Sequence, residues 1–356
     1  MTIASLSARL LRAELRRSWG PEAPANHVIV TTVTADDGAT GTGFAWTPTV
    51  GPRAVRSLLR DDLAPLVVGL PEQPDAVWDR LWKALHEGGQ GLTTVALAGV
   101  DLALWDLQAR RAGTSVDRLL GRVRDRVETY GSGVNLHYEA AELVAQVQRF
   151  VDAGHTAVKI KVGRPDLADD VARVRAVREV LGPDRRLMVD ANQRWDLPTA
   201  RRAVQALSEF DLSWVEEPLR AEDLAGHRQL RDSVDVPVAV GENLHTAYRV
   251  AEYLRAGAVD VLQPNIVRVG GITPFRRIAA LARTHSVALA PHLLPELSAQ
   301  VALTLPEPVL VEDIEHASLQ ALGLLTDEGP VEFGPAWAAP RGRPGLGFQF
   351  VDGDLG

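Results

Sequence analysis

The sequence predicts an α/β protein, a (β/α)8 barrel preceded by a smaller α+β capping domain. Three observations predict it. Residues 1 to about 46 alternate apolar and polar side chains as strands do: Val28–Thr34, a turn at Asp36-Asp37-Gly38, then Gly41–Trp46, an antiparallel meander. From about residue 128 the rhythm changes to eight short apolar runs alternating with amphipathic helical stretches, the pattern of a closed parallel barrel. Within that region Asp190, Glu216 and Glu242 recur at equal spacing, one at the end of each of three successive strands.

In chain order, the meander is followed by helical periodicity over 51–65, 75–87 and 91–111. Arg17-Ser18-Trp19-Gly20-Pro21 connects the first two strands, either as a lid or as a plain connection. The barrel strands are expected at Val127–Val134, Ala157–Val162, Arg186–Asp190, Ser213–Glu216, Pro237–Val240, Asp260–Gln263, Val287–Ala290 and Val309–Val311. Helices are expected between them at 138–153, 166–181, 197–209, 221–231, 246–256, 272–284 and 296–304. A doubly wound open sheet is the alternative, but it would carry a glycine-rich phosphate turn after its first strand, and none is visible. The domain boundaries expected are 1–122 for the capping domain, 123–320 for the barrel and 321–356 for a Gly- and Pro-rich segment returning to the capping domain.

Composition narrows the partners. A net charge of −8 with no basic block argues against nucleic acid. The absence of cysteine removes thiolate metal sites, disulfides and a cysteine nucleophile. The longest apolar run, Thr93–Leu107, is interrupted by Asp101 and Asp106, so no membrane span is expected, and the N-terminal stretch lacks the apolar core of a signal peptide. A cytoplasmic location is the expectation.

The stretch with the most chemistry is Ala157-Val158-Lys159-Ile160-Lys161-Val162-Gly163. In a strand, residues two apart share a face, so Lys159 and Lys161 project together. Burial and mutual repulsion are expected to lower their pKa values, toward a free amine able to take a proton. Only three of the 38 basic residues are lysine, Lys83 being the third, so a pair within three residues stands out in a chain that otherwise uses arginine, which cannot act as a base. A chance pair on an edge strand and a phosphate-binding pair are the other readings.

Barrel active sites lie at the C-terminal strand ends. Three carboxylates converging there repel unless a cation sits between them, and an all-oxygen set of hard ligands suits Mg²⁺. Each acid alone reads equally as a helix N-cap or a solvated rim group. Strand seven ends in Pro291-His292 and strand eight in Glu312-Asp313. A lone histidine is often structural; this one is expected across the barrel from the lysine pair. That arrangement suits removal of a proton from carbon beside a carboxylate, with a group on each face.

The sequence resembles the enolase superfamily and, within it, the mandelate racemase subgroup. The resemblance covers nearly the whole chain. It is carried by Leu97–Leu107 before the barrel, by Lys159-Ile160-Lys161, and by the segments Asp190-Ala191-Asn192, Glu216-Glu217-Pro218 and Gly241-Glu242-Asn243. It implies the modified TIM barrel of that superfamily with Mg²⁺ on Asp190, Glu216 and Glu242. It also implies Lys161 as base, with Lys159 lowering the pKa of Lys161 and contacting the substrate carboxylate, His292 as the catalytic histidine and Glu312 as hydrogen-bond partner of a carboxylate oxygen. Asn192 and Trp19 are expected at the substrate. Two positions depart from the pattern. Asn265 stands where the subgroup has an aspartate paired with the histidine; its oxygen is expected to orient His292 but supplies no charge, leaving a weaker base. Arg268, in Arg268-Val269-Gly270-Gly271, stands where lactonizing and dipeptide-epimerizing relatives use a lysine, and arginine cannot do that acid–base work.

The resemblance therefore implies an Mg²⁺-dependent enzyme taking the α-proton of a small carboxylate to an enediolate. Dehydration of a hydroxy or sugar acid to a 2-keto acid is the first expectation, a racemase or epimerase the second, and a non-catalytic metal-binding homologue the third. A homo-oligomer, dimer or octamer, is expected.

Overall fold

A computed structural model describes residues 1–20 and 23–355. Three antiparallel strands, β1 (Ile3–Glu14), β2 (Ala25–Ala35) and β3 (Thr40–Thr47), form the first sheet. Helices α1 (Pro52–Ser57), α2 (Ala64–Val67), α3 (Pro74–Ala84), α4 (Leu92–Arg111) and α5 (Val116–Leu119) follow. The run expected as one helix over 51–65 is broken by a π-wound segment, Leu58–Leu63. Helix α4 is buried on almost every side because it lies between the sheet and the barrel. It approaches β3 so closely that a Cβ on Gly43 would stand 2.3 Å from the Ala103 nitrogen. Its Asp101 accepts from the Thr273 N–H (3.0 Å) and its Trp105 donates to the Thr273 hydroxyl (3.0 Å), fixing the first domain to the barrel.

The barrel strands are β4 (Val127–Ser132), β5 (Ala157–Lys161), β6 (Arg186–Asp190), β7 (Leu212–Glu216), β8 (Val238–Val240), β9 (Val261–Leu262), β10 (Ala288–Leu289) and β11 (Leu310–Ile314). They pair in parallel in chain order, and β11 closes the ring on β4, with a single bridge, Leu289 to Val309, joining it to β10. Helices α6 (Ala140–Asp152), α7 (Leu167–Leu181), α8 (Leu197–Leu207), α9 (Leu224–Arg231), α10 (Ala247–Ala256), α11 (Ile272–Thr284) and α12 (Pro295–Ala302) link the strands. Fold class and element order match the sequence expectation. Strands β8 to β10 are shorter than expected: Pro237 precedes β8, and Pro264 and Pro291 follow β9 and β10, each lacking the N–H a ladder needs. Helix α9 starts three residues late because the Asp223 side chain caps it through the Gly226 N–H (2.8 Å).

The C-terminal segment does more than return to the first domain. Strands β12 (Val331–Gly334) and β13 (Trp337–Pro340) form a hairpin whose second strand pairs antiparallel with β4. Phe348 and Phe350 then pack on Phe44 (ring centroids 5.3 and 5.6 Å), and the Leu355 N–H reaches the Leu10 carbonyl (3.0 Å). Of the loop expected at Arg17–Pro21, Pro21 lies outside the described residues, as does Gly356 at the end of the third expected segment. No helix among the described residues is long and apolar enough to cross a membrane.

Candidate active site

The barrel interior is plugged by Tyr130, Ala157, Met188, Trp214, Ala239, Ala290 and Leu310, and the polar site is built on this floor. Both lysines of β5 point inward above it, and the Lys159 ammonium lies 5.6 Å from the Tyr130 ring centroid. Lys159 Nζ is 2.8 Å from both oxygens of Glu216, 2.8 Å from Glu312 Oε1 and 3.9 Å from Asp190 Oδ2. Lys161 Nζ pairs with Asp190 Oδ2. Sequence reasoning expected both lysine pKa values to be lowered, and the structure reverses this. Burial does act to lower them. For Lys159 it is outweighed by the Glu216 and Glu312 carboxylates and for Lys161 by Asp190, so both are raised.

The acids crowd one another. Burial, with Asp190 and Glu312 nearby, pushes Glu216 up to about 7 against the pull of Lys159. Glu216 also accepts from Gln263 Nε2 (2.8 Å) and Trp214 Nε1 (3.3 Å). Glu312 opposes its own burial through Lys159 and His292, which hold it low; it accepts from Ser132 Oγ (2.7 Å) and the Leu293 N–H (2.8 Å). Glu242 follows Gly241, where a Cβ would stand 2.4 Å from the Gln263 nitrogen, so only glycine lets β8 and the chain after β9 approach here.

Glu242 lies between His292 and Arg268. Its Oε2 is 2.6 Å from His292 Nε2 and its Oε1 is 3.1 Å from Arg268 NH1. On the other side of the imidazole, the Asn265 amide nitrogen is 3.3 Å from His292 Nδ1. The Asn265 oxygen is taken by the backbone N–H groups of Val267 (3.1 Å) and Arg268 (3.0 Å). This corrects the expectation that the oxygen orients His292: the oxygen meets two donors, so the amide nitrogen is left to face the ring.

A cavity of about 150 Å³ opens above these groups. Lys161, Asn192, Glu242, Arg268, His292 and Glu312 line it from the barrel, and Trp19, Trp46 and Pro48 cover it from the first domain. Trp19 and Trp46 pack at 6.3 Å between centroids. Asn192, Glu217, Leu293 and Leu294 all have positive φ (43°, 39°, 58° and 49°), backbone strain that non-glycine residues carry where the side chain itself is required.

Every site residue expected from sequence lies in or beside this pocket, with one difference in grouping. Ligand atoms of Glu216, Glu242 and His292 fall within 4.8 Å of one another. Asp190 is drawn instead to Lys161 and to Asn192, whose N–H (2.8 Å) and side-chain amide (3.3 Å) it accepts. The donor set, buried carboxylate oxygens each held against a cation, fits a small hard divalent ion such as Mg²⁺. Sequence reasoning missed Gln263, Trp46 and the buried Glu217, which accepts from Asn243 Nδ2 (2.8 Å) and Gln193 Nε2 (3.1 Å). The strand-end position of Gln263 in Gln263-Pro264-Asn265 was the available signal for that residue.

An eight-stranded barrel with a capping domain over lysines, acids and a histidine defines an enzyme class that handles carboxylates with a divalent ion. Residues 12–121 match the mandelate racemase / muconate lactonizing enzyme N-terminal domain, and residues 142–353 match the enolase C-terminal domain-like family. The chain belongs to this mandelate racemase branch of the enolase superfamily and is a Mg²⁺-dependent enzyme. It is 39% identical over 287 residues to a 3,6-anhydro-α-L-galactonate cycloisomerase of Streptomyces coelicolor, covering 80% of each chain. It is 36% identical to the L-talarate/galactarate dehydratase of Salmonella typhimurium, covering 91% of this chain and 81% of the other. A racemase structure from Streptomyces coelicolor with bound magnesium superposes with TM-score 0.92 at 34% identity, covering 98% and 97% of the two chains.

Proposed function

We propose that the protein removes the α-proton of a hydroxylated sugar-acid carboxylate and completes a dehydration to the 2-keto acid. The observation that carries this reading is the pair Lys159 and Lys161 on one buried face of β5, below a cavity shared by Lys161 and His292. Lys161 is the base on one face: the Asp190 carboxylate that raises its pKa is also a proposed ligand of the divalent ion, whose charge, when bound, offsets that pull and favours the free amine. Lys159 and Glu312, 2.8 Å apart on the floor, hold the substrate carboxylate, and Asn192 and Trp19 contact the rest of the acid. Asp190, Glu216 and Glu242 are the ligands of the divalent ion, which when bound supplies positive charge beside the substrate carboxylate. Lys161 takes the α-proton and the electron pair moves into the enediolate; its return breaks the bond to the β-hydroxyl, which leaves as water with a proton from His292 across the cavity, and the resulting enol tautomerises to the 2-keto acid. The carboxylate and hydroxyl substrates named for the two relatives support this class.

A racemase or epimerase is the second reading, favoured by His292 lining the same cavity as Lys161 from three strands away around the ring. The test is a panel including galactarate, D-galactonate and D-arabinonate in deuterated buffer with Mg²⁺. Keto acid formation supports dehydration, and exchange without keto acid supports epimerisation. No exchange with any acid overturns both and leaves the metal-binding homologue. A homo-oligomer, dimer or octamer, and a cytoplasmic location are proposed on the same family likeness; light scattering tests the former.

A further inference from the structure

We infer that Arg268 is a substrate-contacting residue whose guanidinium takes an oxygen substituent of the acid on the His292 side of the reacting carbon. The inference rests on the proposed α-proton chemistry and adds a requirement on the substrate.

Arg268 is fixed at one edge only. Its NH1 is held by the Glu242 carbonyl (3.2 Å), Glu242 Oε1 (3.1 Å) and Asn243 Oδ1 (2.9 Å). Its backbone N–H is held by Asn265, and its guanidinium lies 5.8 Å from the Trp46 ring centroid. These contacts pin the plane of the group. Among the described residues, Nε and NH2 make no hydrogen bond, and the side chain lines the cavity at 18% exposure. Such N–H groups in a half-buried guanidinium suit oxygen acceptors in a planar, two-pronged geometry. Arg268 and His292 bind the two oxygens of one carboxylate, Glu242, so the guanidinium stands beside the imidazole. An acid held by Lys159 and Glu312 and extending past His292 therefore meets Arg268 next. A hydroxyl or carboxylate oxygen there gains charge-assisted hydrogen bonds, whereas an apolar substituent leaves the N–H groups desolvated and unpaired. A residue at a position where arginine excludes acid–base work thus becomes a selector for oxygenated substituents.

The experiment compares α-proton removal from galactarate, read as exchange plus keto acid, with that from 3-deoxygalactarate, read as exchange, for wild type, Arg268→Met and Arg268→Lys, each saturated with Mg²⁺. The deoxy acid has no β-hydroxyl to lose, so exchange reads proton removal alone. Wild type is expected to favour galactarate by about tenfold or more in kcat/KM, the worth of a hydrogen bond to a charged group. Arg268→Met should erase that preference by slowing galactarate about tenfold more than the deoxy acid, and Arg268→Lys should restore part of it. Titration calorimetry with Mg²⁺ on each variant reads Glu242 separately. Equal losses on both acids, or loss tracking weakened Mg²⁺ binding, would show that Arg268 acts only through Glu242 and would overturn the inference. An undiminished preference in Arg268→Met would overturn it too. Wild type inert toward both acids and the wider panel would instead overturn the reading of the pocket, and this inference with it.

Discussion

The side-chain nitrogen of Asn265, rather than its oxygen, faces His292, 3.3 Å from Nδ1. With Nδ1 opposite a donor and Nε2 opposite the Glu242 carboxylate at 2.6 Å, the ring is satisfied with its hydrogen on Nε2. A ring so placed donates from the nitrogen that faces the cavity and has no lone pair there to take a proton.

From this follows one-sided chemistry. For a substrate with two α-epimers, exchange should be much faster from the Lys161 face than from the His292 face. Asn265→Asp replaces the donor by an acceptor for Nδ1–H, frees the Nε2 lone pair, and should speed exchange from the His292 face by about tenfold or more. Deuterium exchange of each epimer measures this. Equal wild-type rates, unmoved by the substitution, would refute it.

Lys161→Arg keeps the charge beside Asp190 and removes the ability to accept a proton. Exchange should fall by at least about a hundredfold, while Mg²⁺ affinity by calorimetry stays close to wild type. A variant that still exchanges near the wild-type rate would assign the base elsewhere.

Chelation should abolish exchange, and re-addition of Mg²⁺ should restore it. Glu216→Gln and Glu242→Gln should each weaken Mg²⁺ binding severely. Gln263→Leu, which removes the donor to Glu216 Oε2 without touching the carboxylate, should weaken it by roughly 10–100-fold. Unchanged calorimetric affinity in all three would exclude this ligand set.

Asp101 predicts a pH effect on stability. Burial raises its carboxyl from 3.8 to about 7, against its hydrogen bonds to Thr273. Between those values the folded protein holds a proton that the unfolded chain releases, so stability falls as pH rises from about 4 to 7 and then levels, by about 1.4 kcal/mol per pH unit at most. Asp101→Asn keeps the shape without the ionisation. Thermal melts at pH 5 and 8 should differ less for Asp101→Asn than for wild type; an unchanged difference would place the effect in other groups.

Much of the fold was readable because each barrel strand is a short apolar run and each helix an amphipathic one. Lys159 and Lys161 were readable because strand period two puts them on one face, and the three acids because equal spacing puts them at equivalent strand ends. What was not readable depends on contacts across strands. The turn of Asn265 is set by the N–H groups of Val267 and Arg268, which become available only when the chain folds back after β9. The raised lysines depend on carboxylates from β6, β7 and β11, and periodicity carries no sign of how near those come. Arg268 was read for what arginine cannot do; its place under Trp46 belongs to the packing of one domain on the other.

The threading of residues 346–355 back onto the first sheet makes the completion of that sheet's packing wait for the barrel during synthesis. Strands β1 to β3 are made before the barrel, yet β1 is an edge strand, and both backbone groups of its Leu10 are bonded by residues made after the barrel: the Asp354 side chain accepts its N–H (3.0 Å) and the Leu355 N–H meets its carbonyl (3.0 Å). Phe44 likewise waits for Phe348 and Phe350. A nascent chain therefore carries the β1 edge open and the Phe44 ring without these partners through the synthesis of the whole barrel, until residues 348–355 have been made.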